Sequence, residues 1–156
     1  MTKAKNPIPQ GYHSVTPLIV YEDARKAIDW YVKALGAKQL SMSPGPDGKI
    51  VHSEIQIGTS RLMLVDEMHG SRSARKLGGS PIVLWLYDPD CDALFDRAVA
   101  AGAKATMPVA DQFWGDRGGT LSDPFGLDWW IATRKEDLTP EEMRSRQAEQ
   151  FQHAGA

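Results

Sequence analysis

An α+β fold made of two tandem β-α-β-β-β modules and a C-terminal helix is what this chain of 156 residues predicts. Three observations carry that prediction. The chain matches itself at an offset of 66 residues: Ala27 meets Ala93, Ile28 meets Leu94, Ala34 meets Ala100, and Gly36-Ala37-Lys38 meets Gly102-Ala103-Lys104. A period longer than most solenoid repeats, seen twice, marks a duplicated module. Each copy opens with a strand-like run, "HSVTPLIV" or "PIVLWLY", and passes into a helical stretch. Near the end, Thr139-Pro140-Glu141-Glu142 combines an N-cap Thr, a Pro at the first helical position and a Glu three residues after the cap.

The elements follow in order. Residues 1–11 are polar with two prolines and read as an extended arm. The first module spans 12–66. Its strand 13–20 holds Pro17, which lacks an N–H and places the strand at an edge or bulge. Ala24, Ala27, Ile28, Tyr31 and Leu35 then form an amphipathic helical stripe, and Gly36 stops it. "AKQLSMS", "PGPDGK" and "IVHSEIQIG" read as strand, turn and strand, and 61–65 as a further strand after the turn at 58–60. A polar, Gly/Ser-rich linker covers 67–80. The second module spans 81–135: strand 81–87, a helix capped by Asp88 or Asp90, and a last strand after the turn Asp123-Pro124-Phe125-Gly126. Residues 136–156 form a helix, from about 140 to 152, and a tail. Its few apolar residues suit a surface or a partner subunit.

Bulk properties exclude several function classes. With 18 basic and 20 acidic residues, net charge −2, the chain has no polyanion-binding surface, so no nucleic-acid partner is expected. The single cysteine, Cys91, excludes an intramolecular disulfide and a cysteine-based zinc site. It falls in the first turn of a helix among Asp88, Asp90 and Asp92, whose charge opposes a thiolate, so it reads as structural. No signal-type or membrane-spanning apolar run occurs, which makes the cytoplasm the expected compartment and a membrane partner unexpected.

The candidate site residues come from strand alternation and from one unusual segment. In strand 50–57, His52, Glu54 and Gln56 share a face, with His52 and Glu54 about 7 Å apart along the strand. They suit a general acid/base pair or polar anchors, and with His13 they would make a His/His/carboxylate set; a plain solvated pair is the other reading. In 127–132 the alternation puts Trp129 and Trp130 on opposite faces. In 81–87, Val83, Trp85 and Tyr87 share one face, and Met63 is an adaptable filler beside them. "DQFWGDRGG" sets Gln112, Trp114 and Arg117 in a Gly-rich stretch. An Arg beside a Trp suits a planar or anionic ligand. Alternatively, Trp114 plugs the base of a hairpin and Arg117 pairs with Asp111 or Asp116. The Asp-Pro-Phe-Gly turn itself reads as structural.

The paired module resembles the vicinal oxygen chelate superfamily, which includes glyoxalase I, bleomycin-resistance proteins and extradiol dioxygenases. "AIDWYVKALGAK", "HSEIQIGTSRLMLVDE", "DCDALFDRAVAAGAK", "DQFWGDRGGTLSDPFGLDWWIAT" and "LTPEEM" are similar to its PhnB-like branch, over about residues 13–145. The resemblance implies the glyoxalase/bleomycin-resistance fold, with cupped mixed sheets and outer helices. The cup is completed within a chain or across a homodimer. It also implies metal positions at Thr16, Leu64, Val83 and Trp130, of which none is a good ligand, so no cofactor is expected there. A divalent metal would need His13, His52 and Glu54 instead. The preferred reading is therefore a cytoplasmic homodimer that binds a small organic molecule in a metal-poor aromatic cup. Contacts would come from Thr16, Met63, Trp85, Gln112, Trp114, Arg117 and Trp130, with His52 and Glu54 as anchors. The alternatives are a metal-dependent lyase, isomerase or dioxygenase using His52 and Glu54, and a structural or regulatory dimer without a ligand.

Overall fold

The computed structural model describes residues 4–154. Residues 1–3 of the expected arm and 155–156 of the expected tail lie outside the described residues. The chain divides into two compact units, Met1–Gly78 and Gly79–Ala156.

The first unit runs β1 (Leu18–Tyr21), α1 (Ala24–Leu35), β2 (Lys38–Pro44), β3 (Ile50–Ile57), β4 (Ser60–Asp66) and α2 (Ala74–Leu77). Its four-stranded sheet has the order β1-β4-β3-β2, with β1 parallel to β4 and the other pairs antiparallel. The second unit repeats this as β5 (Val83–Tyr87), α3 (Cys91–Ala100), β6 (Lys104–Asp111), β7 (Asp116–Ser122) and β8 (Asp128–Arg134), in the order β5-β8-β7-β6. Then α4 spans Pro140–Ala154 behind its capping box, in which Thr139 N donates to Glu142 Oε2 at 2.8 Å. No helix among the described residues is long and apolar enough to cross a membrane.

Each helix forms where the sequence caps it. Asp23 accepts from Lys26 N at 3.0 Å, and Gly36 ends α1 with φ 67°, the left-handed region that glycine enters at little cost. Asp90 does the capping for α3 by accepting from Ala93 N at 3.0 Å. The helical stripes are buried against their own sheets: Ala24, Ala27, Ile28, Tyr31, Ala34 and Leu35 in α1, and Cys91, Leu94, Phe95 and Ala98 in α3. Each wholly buried Leu or Ile, such as Ile28 and Leu64, contributes about 1.5–3 kcal/mol. Cys91 donates from Sγ to Arg117 O at 3.2 Å within this packing.

Strand registers refine the offset. Ile19 pairs with Leu64, and Leu86 pairs with Ile131, so the two copies are 67 residues apart in the first and last strands. Across the middle strands the separation is 66, since Glu54 and Thr120 hold equivalent places opposite Met63 and Trp130. The path from Thr120 to Trp130 is one residue longer than that from Glu54 to Met63, which absorbs the step. The partner of Trp130 in the first copy is therefore Met63, and the expectation of Leu64 is corrected. Leu64 is wholly buried on the helix side, because a slip of one residue turns every side chain to the other face. The strand expected from residue 13 starts at Leu18, although Pro17 O still accepts from Met63 N at 2.9 Å.

The stretch between β4 and β5 is tethered. Glu67 accepts from Ser73 N at 2.9 Å, from Ser73 Oγ at 2.7 Å and from Lys76 Nζ, which fixes α2. Lys76 first, then Ser73, hold the Glu67 carboxyl down to about 2, from an ordinary 4.5. A carboxyl depressed in the folded state adds stability that is present above its ordinary value and is lost as the pH falls toward the folded one. Glu67→Gln should thus lower the melting temperature at neutral pH, and its gap to the wild type should close between pH 4.5 and 2. Melting curves across that range check it; a gap that stays constant contradicts the assignment.

Candidate functional site

The second sheet leaves one face uncovered by α3. Alternation along β5 exposes Val83, Trp85 and Tyr87 and turns Leu84 and Leu86 toward the helix. Trp130 of β8 lies opposite Trp85 and stacks on it, with ring centroids 4.6 Å apart and an interplanar angle of 10°. Trp114, from the β6–β7 connection, leans over both at 6.2 and 5.6 Å, and Tyr87 flanks Trp85 at 6.1 Å. Trp85, Tyr87 and Trp114 line an open recess of about 470 Å³. Trp85 keeps 46% and Tyr87 57% of its surface exposed, which is unusual for rings that could be core.

Backbone geometry makes room for this stack. Gly118 faces Trp130, and a Cβ there would come 2.9 Å from Trp130 Nε1 and 2.6 Å from Ile131 O. The Gly-rich segment is thus the strand β7, and its glycines serve close approach. Trp129, the other indole of β8, is buried toward the helix and donates to Asp123 Oδ2 at 2.9 Å. Beneath the recess, Asp116 is 5% exposed, and its Oδ2 accepts from Tyr87 Oη at 2.8 Å and Trp114 Nε1 at 3.0 Å. Burial, and next the Asp116 carboxylate, push the Tyr87 phenol up, so it stays protonated and donating.

Arg117 does not stand beside Trp114 on this face, and that expectation is corrected. It alternates with Asp116 and points toward α3, where its Nε and Nη2 fork onto Asp92 at 2.7 and 2.8 Å and its Nη1 reaches Asp111 at 3.2 Å. The fork holds the Asp92 carboxyl below its ordinary range. The sequence alternative that paired Arg117 with Asp111 matches this contact; the one with Asp116 does not. Gln112 also turns inward. Its side-chain amide donates to Ala110 O at 3.1 Å and Gly118 O at 3.4 Å, so it braces the connection that carries Trp114.

The open face of the first sheet is polar instead. His52 Nε2 and Glu54 Oε1 meet at 3.0 Å, and Arg61 Nη1 lies 4.0 Å from Glu54 Oε2. Tyr12 covers the Arg61 guanidinium, whose Cζ is 4.6 Å from the ring centroid. The Tyr12 hydroxyl, the His52 ring and Arg61 hold the Glu54 carboxyl below its usual range against some burial. Tyr12 Oη and Ser41 Oγ are buried without a well-formed hydrogen bond. Met63 lies on this face opposite Glu54, and Thr16 is half-buried ahead of β1.

These residues do not fit a metal. With the register corrected, the implied positions are Thr16, Met63, Val83 and Trp130: one hydroxyl, one thioether and two carbon faces. His13, His52 and Glu54 do not assemble either. Among the described residues no group of three or more His, Cys, Asp or Glu side chains comes together to hold an ion. Strand alternation made Trp85, Trp130, His52 and Glu54 findable. Asp116, Tyr12 and Arg61 were missed, and only a β7 strand register would have signalled Asp116.

Comparisons with known proteins agree with this fold. The model of the Glyoxalase/Bleomycin resistance protein/Dioxygenase superfamily matches residues 12–131. An uncharacterized protein, Rv0887c, of Mycobacterium tuberculosis (strain ATCC 25618 / H37Rv) is 39% identical over 142 residues, covering 88% of this chain and 84% of its own. The crystal structure of the Arabidopsis thaliana gene product At5g48480 is 26% identical with a TM-score of 0.64, over 78% of this chain and 98% of that one. The PhnB protein of Bacillus cereus shares the fold, with a TM-score of 0.63 at 16% identity over 78% of this chain and 99% of its own.

Proposed function

Because this chain belongs to the glyoxalase/bleomycin resistance protein/dioxygenase superfamily, we propose that it binds a small planar organic molecule on the aromatic face of its second unit. The single observation that carries the reading is the indole array, in which Trp85 is exposed and Trp114 and Trp130 are half-buried. Trp85 and Trp130 are stacked, Trp114 overhangs them, and the recess before them is about 470 Å³. Ligand recesses of several hundred Å³ lined by aromatic groups are the usual form of a small-molecule site. A planar ligand would stack on Trp85 and meet Trp114, tilted by 57°, edge to face, each ring contact adding about 0.5–1.5 kcal/mol beyond its area. The reading needs no metal and includes a homodimer, whose mass sedimentation measures.

The test is calorimetric titration with three two-ring probes: quinoline, N-methylquinolinium and quinoline-2-carboxylate. At least one should bind saturably, and Trp85→Ala and Trp114→Ala should each weaken it about tenfold, since about 1.4 kcal/mol is tenfold in affinity. Absence of binding by all three, or equal affinity in both variants, removes the proposal. The His52–Glu54 contact at 3.0 Å supports a second reading, an acid/base pair acting on a bound substrate. Chromatography of the same mixtures tests it: a new product that His52→Ala no longer forms would mark turnover by this pair.

A further inference from the structure

The geometry points to a planar organic cation as the ligand class of the aromatic recess. The inference rests on the binding reading above and deepens it. The selectivity is electrostatic. An aromatic face carries negative potential and attracts cations, and the attraction grows when the site is dry. Here three tilted rings, Trp85, Tyr87 and Trp114, line one recess, and a carboxylate stands behind two of them. Asp116 is 5% exposed and forms no ion pair among the described residues. It engages the recess through the rings themselves, by accepting from the Tyr87 hydroxyl at 2.8 Å and the Trp114 indole N–H at 3.0 Å. Drawing both polar hydrogens toward a full negative charge makes the two π systems richer in electrons, which strengthens their pull on a cation.

The neighbouring charges do not cancel this. Arg117, the basic residue nearest in sequence to Trp114, is turned to the opposite face of the sheet and is occupied by Asp92 and Asp111. Arg134 is paired across from Asp116 in the strand register, but its Nε is bound to Asp137 at 2.8 Å. Asp128, at the other end of the same face, adds a further negative group, bound to the Ser122 hydroxyl. An anionic ligand would meet Asp116, while the Arg134 guanidinium across from it is shared with Asp137. A small hydrated metal cation would have to surrender its water to rings and gain one carboxylate that is already hydrogen-bonded. A flat, delocalised cation loses little hydration and can lie on Trp85 while its edge meets the Trp114 ring, tilted by 57°.

The experiment compares the three probes, which share one quinoline ring system, on the intact protein by calorimetry. N-methylquinolinium should bind about tenfold more tightly than quinoline and more tightly still than quinoline-2-carboxylate. Asp116→Asn keeps an oxygen acceptor for Tyr87 and Trp114 but removes the charge. It should cut the affinity for N-methylquinolinium about tenfold and change that for quinoline less than twofold. Equal or tighter binding of quinoline or the carboxylate, with Trp85→Ala still weakening it, overturns the cation assignment and leaves the binding reading standing. Binding of no probe removes both. If Asp116→Asn fails to fold, the order of the three affinities in the wild type decides by itself.

Discussion

Asp123→Ala should cost about 4 kcal/mol, the largest single loss expected in the second unit, because hydrogen bonds to a charged group contribute about 1.5–3 kcal/mol and orphaned buried donors add to that. Asp123 is 5% exposed and serves three donors at once. Its Oδ1 accepts from Phe125 N at 2.9 Å and Leu127 N at 3.0 Å, and its Oδ2 from Trp129 Nε1 at 2.9 Å. Truncation leaves one buried and one half-buried backbone N–H and one buried indole N–H without their acceptor. It also loosens the turn that sets the β7–β8 register, on which the position of Trp130 depends. Asp123→Asn should lose less, because the amide oxygen can still serve Phe125 and Leu127 while the amide nitrogen opposes the Trp129 donor. Urea titration of the three proteins measures the series. A loss below about 1 kcal/mol for Asp123→Ala would mean that the turn closes without its carboxylate.

The architecture was legible because duplication writes the same pattern twice. Either copy alone leaves its strands ambiguous, but Gly36-Ala37-Lys38 and Gly102-Ala103-Lys104 fix where both helices stop. Boundaries were less legible where tertiary contacts decide them. Residues 13–17 carry a strand-like composition but lie ahead of β1, and polarity hid the Glu67 tether within a stretch that reads as plain linker. The offset of 66 holds where the middle strands pair and fails by one at the outer ones. One residue in a strand exchanges its two faces, so Leu64 was expected where Met63 stands.

The site divided along the same line. Alternation separated Trp130 from Trp129 and grouped Trp85 with Val83 and Tyr87, and the family resemblance put Trp130 on the cup side. Arg117 was misplaced because Gly118 and Gly119 make β7 read as a loop. Once Asp116–Ser122 is a strand, alternation separates Asp116 from Arg117 and reverses the charge near the indoles. Composition supplied the aromatic character, whereas register decided the electrostatic one. Tyr12 escaped both kinds of reading. It belongs to no strand or helix and reaches Arg61 only through the path of the arm.

Asp66→Ala should cost about 3–4 kcal/mol, against about 1–2 kcal/mol for Thr133→Val, although the two residues hold the same joint in the two copies. Each ties the first turn of a helix to the last strand of its sheet. Asp66 is largely buried, with Oδ1 accepting from Ala24 N at 2.6 Å and Oδ2 from Ile50 N at 2.7 Å, so one carboxylate holds α1, β3 and β4 together. Thr133 accepts from Cys91 N at 2.9 Å and donates to Asp88 O at 2.6 Å, two neutral bonds that reach only the strand-to-helix corner. Charge and reach both favour the aspartate. Hydrogen exchange separates local from general effects: Asp66→Ala should expose the Ala24 and Ile50 amides first, and Thr133→Val the Cys91 amide. Equal costs for the two variants would show that the carboxylate adds nothing over a hydroxyl at this corner. Helix position would then be set by the buried stripes of α1 and α3, and the caps would merely register it.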